Sequence, residues 1–229
     1  VLDNAKKNNV KRIISISTNL NKIDKIIDLS NNNDEVFFTV GVHPNEVLKD
    51  DNNSNYDLIH NISKKNKCVG IGECGLDYHY EKESVNKQKN SFITQINVAR
   101  DIGLPLIIHS RDADEDMIKI LTSEYKKGSF KAILHCFSSG KKLALCGVEL
   151  GFYISFSGIV TFNSAKLIQE VAMLVPKDKI LVETDAPYLS PTPLRGTINE
   201  PKNCQITAKF LSDIRKIDFN KFVGQLNMN

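Results

Sequence analysis

The sequence of 229 residues lacks any apolar run near the roughly 20 residues that a membrane-spanning helix needs. We therefore expect no association with a membrane. Lys and Arg exceed Asp and Glu by only 30 to 27, and a net charge of +3 is too small to indicate a protein that coats nucleic acid by its field alone. Long internal repeats are also missing.

Cysteines are few, and none of the five forms a C-x-x-C pair. Their odd number and wide spacing exclude a disulfide framework and a zinc knuckle. We therefore expect the thiols to be free and the compartment to be reducing, which predicts a cytoplasmic protein, or a nuclear one if the organism is eukaryotic.

The chain has 41% hydrophobic and 25% charged residues, a composition typical of globular proteins and sufficient for one sizeable core. No stretch reads as a domain linker. The sequence therefore predicts a single domain over residues 1–229.

Short apolar runs alternate with longer amphipathic segments along the whole chain, and most of these runs are continuously apolar, as in strands covered on both faces. Seven runs are predicted strands: Val10–Ser17, Val36–His43, Cys68–Glu73, Leu104–His109, Phe130–Cys136, Phe152–Phe156 and Ile180–Thr184. After an opening helical stretch, helices are predicted near 20–30, 54–66, 85–102, 112–126, 140–149, 164–174 and 204–215. Alternating strands and helices predict parallel strands with right-handed crossovers.

Two α/β architectures satisfy this alternation, a doubly wound open sheet and a closed (β/α)₈ barrel. A barrel needs eight strands, whereas seven are visible and the chain opens on a helix. We therefore expect an α/β TIM barrel, truncated at its amino terminus by the loss of the first strand.

Imidazole and carboxylate side chains lie at the carboxyl ends of five predicted strands: His43, Glu73, His109, His135 and Asp185. Side chains from these ends converge on one rim of an α/β barrel, where active sites are built. A mixed set of nitrogen and oxygen donors suits Zn²⁺, Mn²⁺ or a similar divalent ion. The sequence thus predicts a metal site.

The carboxylates are the stronger part of this pattern. A single histidine at a strand end more often caps or fills a core than binds metal. A carboxylate that ends an apolar strand, such as Glu73 or Asp185, is costly to desolvate unless it faces a positive partner. We leave out His60 and His79, which we expect to face solvent or to lie behind the ligands.

Six sequence strings resemble, in order, those of the TatD family of metal-dependent deoxyribonucleases. They are GVHPNE (41–46), VGIGECGLDY (69–78), LPLIIHSRDA (104–113), ILHCFSSG (133–140), GFYISFSGIVTF (151–162) and ILVETDAPYLSPTPLRGTINEP (180–201). The resemblance covers nearly the whole chain and implies an amidohydrolase-like TIM barrel that hydrolyses phosphodiester bonds of DNA.

Carried over by position, the resemblance makes Glu73, His109, His135 and Asp185 metal ligands, with Glu73 and Asp185 also catalytic. It implies two divalent ions per subunit (Zn, Mg or Mn). His43 and Arg111 would bind substrate, Arg111 through charge-assisted hydrogen bonds to phosphate. The DNA would be single-stranded or presented as strand ends, and cleavage exonucleolytic. The oligomeric state is left open, with a monomer as one option.

One departure from the family pattern concerns its first strand, which carries a His-x-His pair that this sequence lacks. Two alternatives follow. One is an amidohydrolase-type enzyme for another ester or amide, since one barrel rim supports many chemistries. The other is a catalytically impaired homologue that binds without turnover.

Overall fold

The structure is a computed structural model that describes residues 1–48, 55–80 and 84–229. Within these residues it has seven strands: β1 (Ile13–Ser15), β2 (Val36–Val40), β3 (Cys68–Asp77), β4 (Leu106–Arg111), β5 (Ala132–Leu134), β6 (Tyr153–Phe156) and β7 (Ile180–Val182). The sheet order follows the chain from β1 to β7. Every predicted strand is present, and the predicted class, an α/β fold of the TIM-barrel type with seven strands, is confirmed.

Helices separate the strands as the alternation predicts. Those in the described part of the chain are α1 (Leu2–Lys7), α2 (Ile23–Asn31), α3 (Tyr56–Ser63), α4 (Val85–Ile102), α5 (Asp114–Lys127), α6 (Lys141–Glu149), α7 (Lys166–Leu174), α8 (Cys204–Ile214) and α9 (Phe219–Met228). Short 3₁₀ turns lie between them. None of the helices in the described ranges is both long and apolar enough to cross a membrane.

Two compact units can be described separately: a first unit of Arg12–Ile133 and a second unit of Val1–Lys11 with Leu134–Asn229. That the chain forms a single domain stays a prediction.

The first unit is built on the parallel strands β1 to β4. Helix α4 covers β3 with the predicted stripe of Phe92, Ile96 and Ala99, each at most 1% exposed. The helix ends where Gly103 takes the left-handed conformation (φ 74°), which glycine adopts without steric cost. The sequence indicated this helix at its true bounds.

The second unit contains the parallel pair β6 and β7, with Ile154 opposite Ile180 and Phe156 opposite Val182. Helix α9 closes the chain and was not predicted. It begins at Asp218, whose side chain accepts from the Lys221 N–H, and it buries Phe222. An aspartate three residues before a capped N–H was the signal that could have revealed this helix.

Candidate metal-binding groups

Strand β3 carries two acidic residues, and glycines let its neighbours approach it closely. A Cβ on Gly41 would lie 2.4 Å from the Gly72 Cα, so only glycine fits there. The Glu73 N–H donates to the Ser17 carbonyl at 2.7 Å, which fixes the backbone at the carboxylate. Glu73 and Asp77 are thereby held on a rigid strand, and both are buried.

The first group of candidate ligands, called the His109 group, consists of His43, Glu73 and His109 and lies in the first unit. Its donor atoms all lie within 4.8 Å of one another. Glu73 Oε1 is 3.1 Å from His109 Nδ1 and 3.4 Å from His43 Nε2. One carboxylate oxygen thus faces two imidazoles, the arrangement that a shared cation would require.

His43 is oriented by the turn that follows β2. Its Nδ1 accepts the Asn45 N–H at 3.0 Å, and Pro44 opens the short 3₁₀ turn 44–46. Because the Nδ1 lone pair is used in that bond, a neutral His43 carries its proton on Nε2, which faces Glu73 as a donor. Sequence reasoning placed His43 near the substrate. The structure places its Nε2 close to the Glu73 and His109 donor atoms, where in this tautomer it holds the Glu73 carboxylate, and its substrate-binding role stays a prediction.

Asp77 supports the His109 group from behind and was missed by the sequence analysis. Its Oδ2 lies 3.1 Å from His109 Nε2, and it also accepts from the Asn45 side-chain amide and the His79 N–H. Burial pushes the pKa of Asp77 upward, but the bond with His109 and the two other donors outweigh it and hold the pKa at about 2. A carboxylate behind a ligating histidine fixes its tautomer and orientation.

The second group of candidate ligands, called the His135 group, consists of His135, Glu183 and Asp185 and lies in the second unit. His135 follows β5, and the two acids follow β7. His135 Nδ1 is 2.8 Å from Glu183 Oε1. Burial raises the pKa of Glu183, but the facing His135, together with hydrogen bonds from Ser155 and the Cys136 backbone, outweighs burial, so the net pKa is lowered.

Glu183 was also missed by the sequence analysis, which stopped at the last acid of the ILVETD string. Glu183 follows the end of β7, where no regular spacing indicates which way a side chain points, so the sequence offered no local signal for it. Asp185 itself has φ 58°, a conformation that aspartate tolerates better than most residues. Cys136 Sγ contacts Asp185 Oδ2 at 3.7 Å and Ser157 Oγ at 3.1 Å.

Asn199 holds the loop that carries Asp185. Its buried side-chain amide donates to the Thr184 and Tyr188 carbonyls, both at 2.7 Å, and its own N–H donates to the Pro187 carbonyl at 3.0 Å. Asn199 therefore holds the loop 184–188 on both sides of Asp185.

Both groups fit a divalent ion. Each combines imidazole nitrogen with carboxylate oxygen, a donor set suited to Zn²⁺ or Mn²⁺; Glu73 is buried and the other members of the groups are partly buried. Buried carboxylates close to one another are costly without a positive partner, and a cation supplies one. The predicted ligands are thus brought together in pairs: Glu73 with His109, and His135 with Asp185.

Arg111, predicted to bind phosphate, belongs to neither group. Its guanidinium carbon lies 4.9 Å from the centroid of the Tyr80 ring, a cation–π contact. It ends β4, two residues after His109. Its phosphate-binding role stays a prediction.

Comparison with known proteins bears on what these groups do. The family model described as TatD related DNase matches residues 1–229. This chain belongs to the TatD family of metal-dependent hydrolases. The TatD resemblance noted in the sequence is therefore confirmed, and the two groups are candidate metal sites of such a hydrolase.

Relatives and solved structures are similar over nearly the whole chain. An uncharacterized metal-dependent hydrolase of Bacillus subtilis, YabD, is 35% identical over 98% of this chain and 87% of its own. The Escherichia coli relative YcfH, named in the same words, is 38% identical over 95% of this chain and 80% of its own. The crystal structure of the E. coli TatD homolog YJJV superposes with a TM-score of 0.90 at 24% identity, covering 98% and 86% of the two chains, and shows the shared fold.

Proposed function

We propose that this TatD-family hydrolase cleaves phosphodiester bonds of DNA, at single strands or strand ends, with two divalent ions. The observation that carries the proposal is the presence of two separate groups, each joining an imidazole to at least one carboxylate. The name of the matching family model, a related DNase, supports DNA as the substrate. The five cysteines form no disulfide with one another, which supports action in the reducing cytoplasm.

Each group would hold one ion. Glu73 and His109 would bind the first, with His43 holding Glu73 and Asp77 orienting His109 from behind. His135, Glu183 and Asp185 would bind the second. A bound divalent ion lowers the pKa of coordinated water towards about 7 and neutralises phosphoryl oxygens. The remaining contributions come from the protein's own side chains.

Asp185 would take the proton of the attacking water. Its carboxylate lies in a loop fixed by Asn199, so the acceptor oxygen is positioned before substrate arrives. The water oxygen then forms a bond to phosphorus, the bond from phosphorus to the leaving sugar oxygen breaks, and that oxygen takes a proton from solvent. Glu73 would be held in place by the facing nitrogens of His43 and His109.

Arg111 would meet a non-bridging phosphate oxygen. A guanidinium is always charged and offers paired N–H donors that match phosphate geometry. Its place at the end of β4, two residues from His109, supports this role.

The test uses linear and circular single-stranded oligonucleotides labelled at one end. The protein is stripped with a chelator and then reloaded with Zn²⁺, Mn²⁺ or Mg²⁺. We expect cleavage only after reloading, with the linear strand shortened from an end and the circle intact. Glu73→Ala and His135→Ala should each lower the rate by at least 100-fold. His60→Ala, which changes a histidine stacked on Tyr56 in α3, is the matched control and should cleave normally.

Other outcomes have clear meanings. Cleavage in the presence of chelator, or full activity in both site variants, would refute the proposal. A protein that ignores DNA but hydrolyses an amide, lactone or acyl ester would be the amidohydrolase-type enzyme. One that binds metal and DNA without turnover would be an impaired homologue.

A further inference from the structure

An exposed aromatic ring lies on the first unit where β3 and β4 end. The Tyr80 side chain is 66% exposed. The Arg111 guanidinium lies over its ring at 4.9 Å, and the His79 ring meets it edge-on at 4.7 Å with an interplanar angle of 90°. A large exposed aromatic held in place by a cation is a typical stacking surface for nucleic-acid bases.

The backbone around this ring is anchored to the His109 group. The Asp77 carboxylate that faces His109 also accepts the His79 N–H at 2.9 Å. The Tyr78 N–H donates to the Arg111 carbonyl at 2.9 Å, which ties the turn to the end of β4. The ring therefore has a defined position relative to the His109 group.

A hydrogen-bonded side-chain pair and a cavity lie beside the Tyr80 ring. Asp112 Oδ2 lies 2.9 Å from His79 Nδ1, which helps to hold the imidazole edge-on to Tyr80. Beside it opens a cavity of about 530 Å³, lined by Tyr78, His79, Val85 and Asp112. This volume lies within the range of small-molecule sites and has room for one nucleotide.

We propose that Tyr80 and Arg111 form a nucleobase subsite of this hydrolase, in which the ring of Tyr80 stacks on one base of a single strand. Arg111 supports the ring from the other side and contacts the adjoining phosphate. The subsite rests on the proposed function for its substrate. It accounts for a preference for single strands or frayed ends, because a paired base cannot leave its own stack without cost.

Binding without cleavage tests the subsite directly. Fluorescence anisotropy on chelator-treated protein would compare an oligothymidylate with a strand of the same length built from abasic units. We expect the wild type to bind the thymidylate about 10-fold more tightly, within the range that removing a stacked aromatic produces. Tyr80→Ser should abolish this preference, and Tyr80→Phe should keep it.

Tyr153→Ser is the matched control. Tyr153 also lies under a cation, Lys179 at 5.0 Å, but begins β6 rather than following a strand's carboxyl end. It should keep the wild-type preference. Circular dichroism and thermal melting of all variants identify any that fail to fold, and Tyr80, being largely exposed, should tolerate substitution.

Cleavage of the same two strands by metal-loaded protein separates this inference from the proposed function, because the abasic strand has phosphodiester bonds but no aromatic group to stack. The ratio of kcat/KM for the thymidylate to kcat/KM for the abasic strand should fall in Tyr80→Ser and keep its wild-type value in Tyr153→Ser. Equal binding of both strands by wild type, or an unchanged preference in Tyr80→Ser, overturns the subsite even if cleavage is robust. A base preference that depends on Tyr80 in a protein that cleaves neither substrate upholds the subsite and refutes the phosphodiesterase.

Discussion

The Asn199 side-chain amide donates a 2.7 Å hydrogen bond to the Thr184 carbonyl, one residue before Asp185. A second bond of equal length reaches the Tyr188 carbonyl, and Asn199 is only 2% exposed. One buried side chain thus supplies a hydrogen bond to a carbonyl on each side of Asp185. The shape of the Asp185 loop therefore depends on one amide group.

Replacing Asn199 by alanine should destabilise the protein and loosen the Asp185 loop. We expect a loss of about 2 kcal/mol in the free energy of unfolding, because two hydrogen bonds of about 1 kcal/mol each are removed. Urea denaturation of the metal-free protein measures it. Asn32→Ala removes an exposed bond to the Asp28 carbonyl and should cost less than about 0.5 kcal/mol. Equal costs for the two variants would contradict this reading of Asn199.

The two ligand groups should be separable by metal content. We expect the wild type to carry two ions per chain, and His109→Ala and His135→Ala to carry one each, because each change removes an imidazole from a different group. Inductively coupled plasma mass spectrometry on dialysed protein gives the count. The double variant should hold none, and His60→Ala should hold two. Loss of both ions in either single variant would show that the groups do not bind independently.

Asp77→Asn should weaken the His109 group without removing a ligand. The carboxylate at 3.1 Å from His109 Nε2 is replaced by a neutral amide, so the imidazole loses its charged partner. Such changes typically cost 10- to 100-fold in metal affinity. Competition with a chromophoric chelator measures the affinity. Asp213→Asn, in an exposed ion pair with Lys209, is the control and should leave it unchanged. An unaltered affinity in Asp77→Asn would exclude the supporting role.

Asp116 should give a pH-dependent contribution to stability. Hydrogen bonds from Lys89 at 2.6 Å and from the Tyr78 hydroxyl at 2.9 Å lower its pKa below the ordinary value. A lowered folded-state pKa means that the contribution is complete above the unfolded pKa of about 3.9 and disappears as pH falls through the folded value. The stability difference between wild type and Asp116→Asn should be constant from pH 8 to 5 and shrink below about pH 4. A difference that grows on acidification would contradict it.

Gly41→Ala should destabilise the first unit. The new Cβ would lie 2.4 Å from the Gly72 Cα and 2.7 Å from Gln95 Oε1, so backbone must move. We expect a loss of about 3 kcal/mol, the upper part of the range for overpacked sites. Gly224→Ala in α9 meets no atom within 4 Å and should stabilise by about 0.5–1 kcal/mol. Thermal melting compares the two, and a neutral Gly41→Ala would disprove the close approach.

Periodicity predicted the succession of elements because strands and helices bury their apolar residues at different spacings. Helix α4 was found at its true bounds since both its stripe and its glycine stop are local signals. Strand β3 was predicted to end at Glu73, yet it continues to Asp77. Glycines at 72 and 75 interrupt the apolar pattern there, and only the neighbouring strands show that the backbone stays extended.

The sequence analysis predicted the main candidate ligands but missed Glu183 and Asp77. Glu73, His109, His135 and Asp185 follow apolar runs, a signal visible in one sequence. Glu183 and the pairing of His43 with Glu73 depend on how side chains turn after their strands end, which no local pattern specifies. Contacts across 30 or more residues are set by the tertiary structure, so they became visible only with coordinates.

Glu73 and Asp77 lie four residues apart on one strand and flank the same imidazole ring, one at each nitrogen. Because side chains of a strand alternate, an insertion or deletion of a single residue between them would turn one acid away. Libraries built on this scaffold must therefore preserve the number of residues between the two acids. They must also preserve Gly75, because a Cβ there would lie 2.0 Å from the His109 carbonyl oxygen.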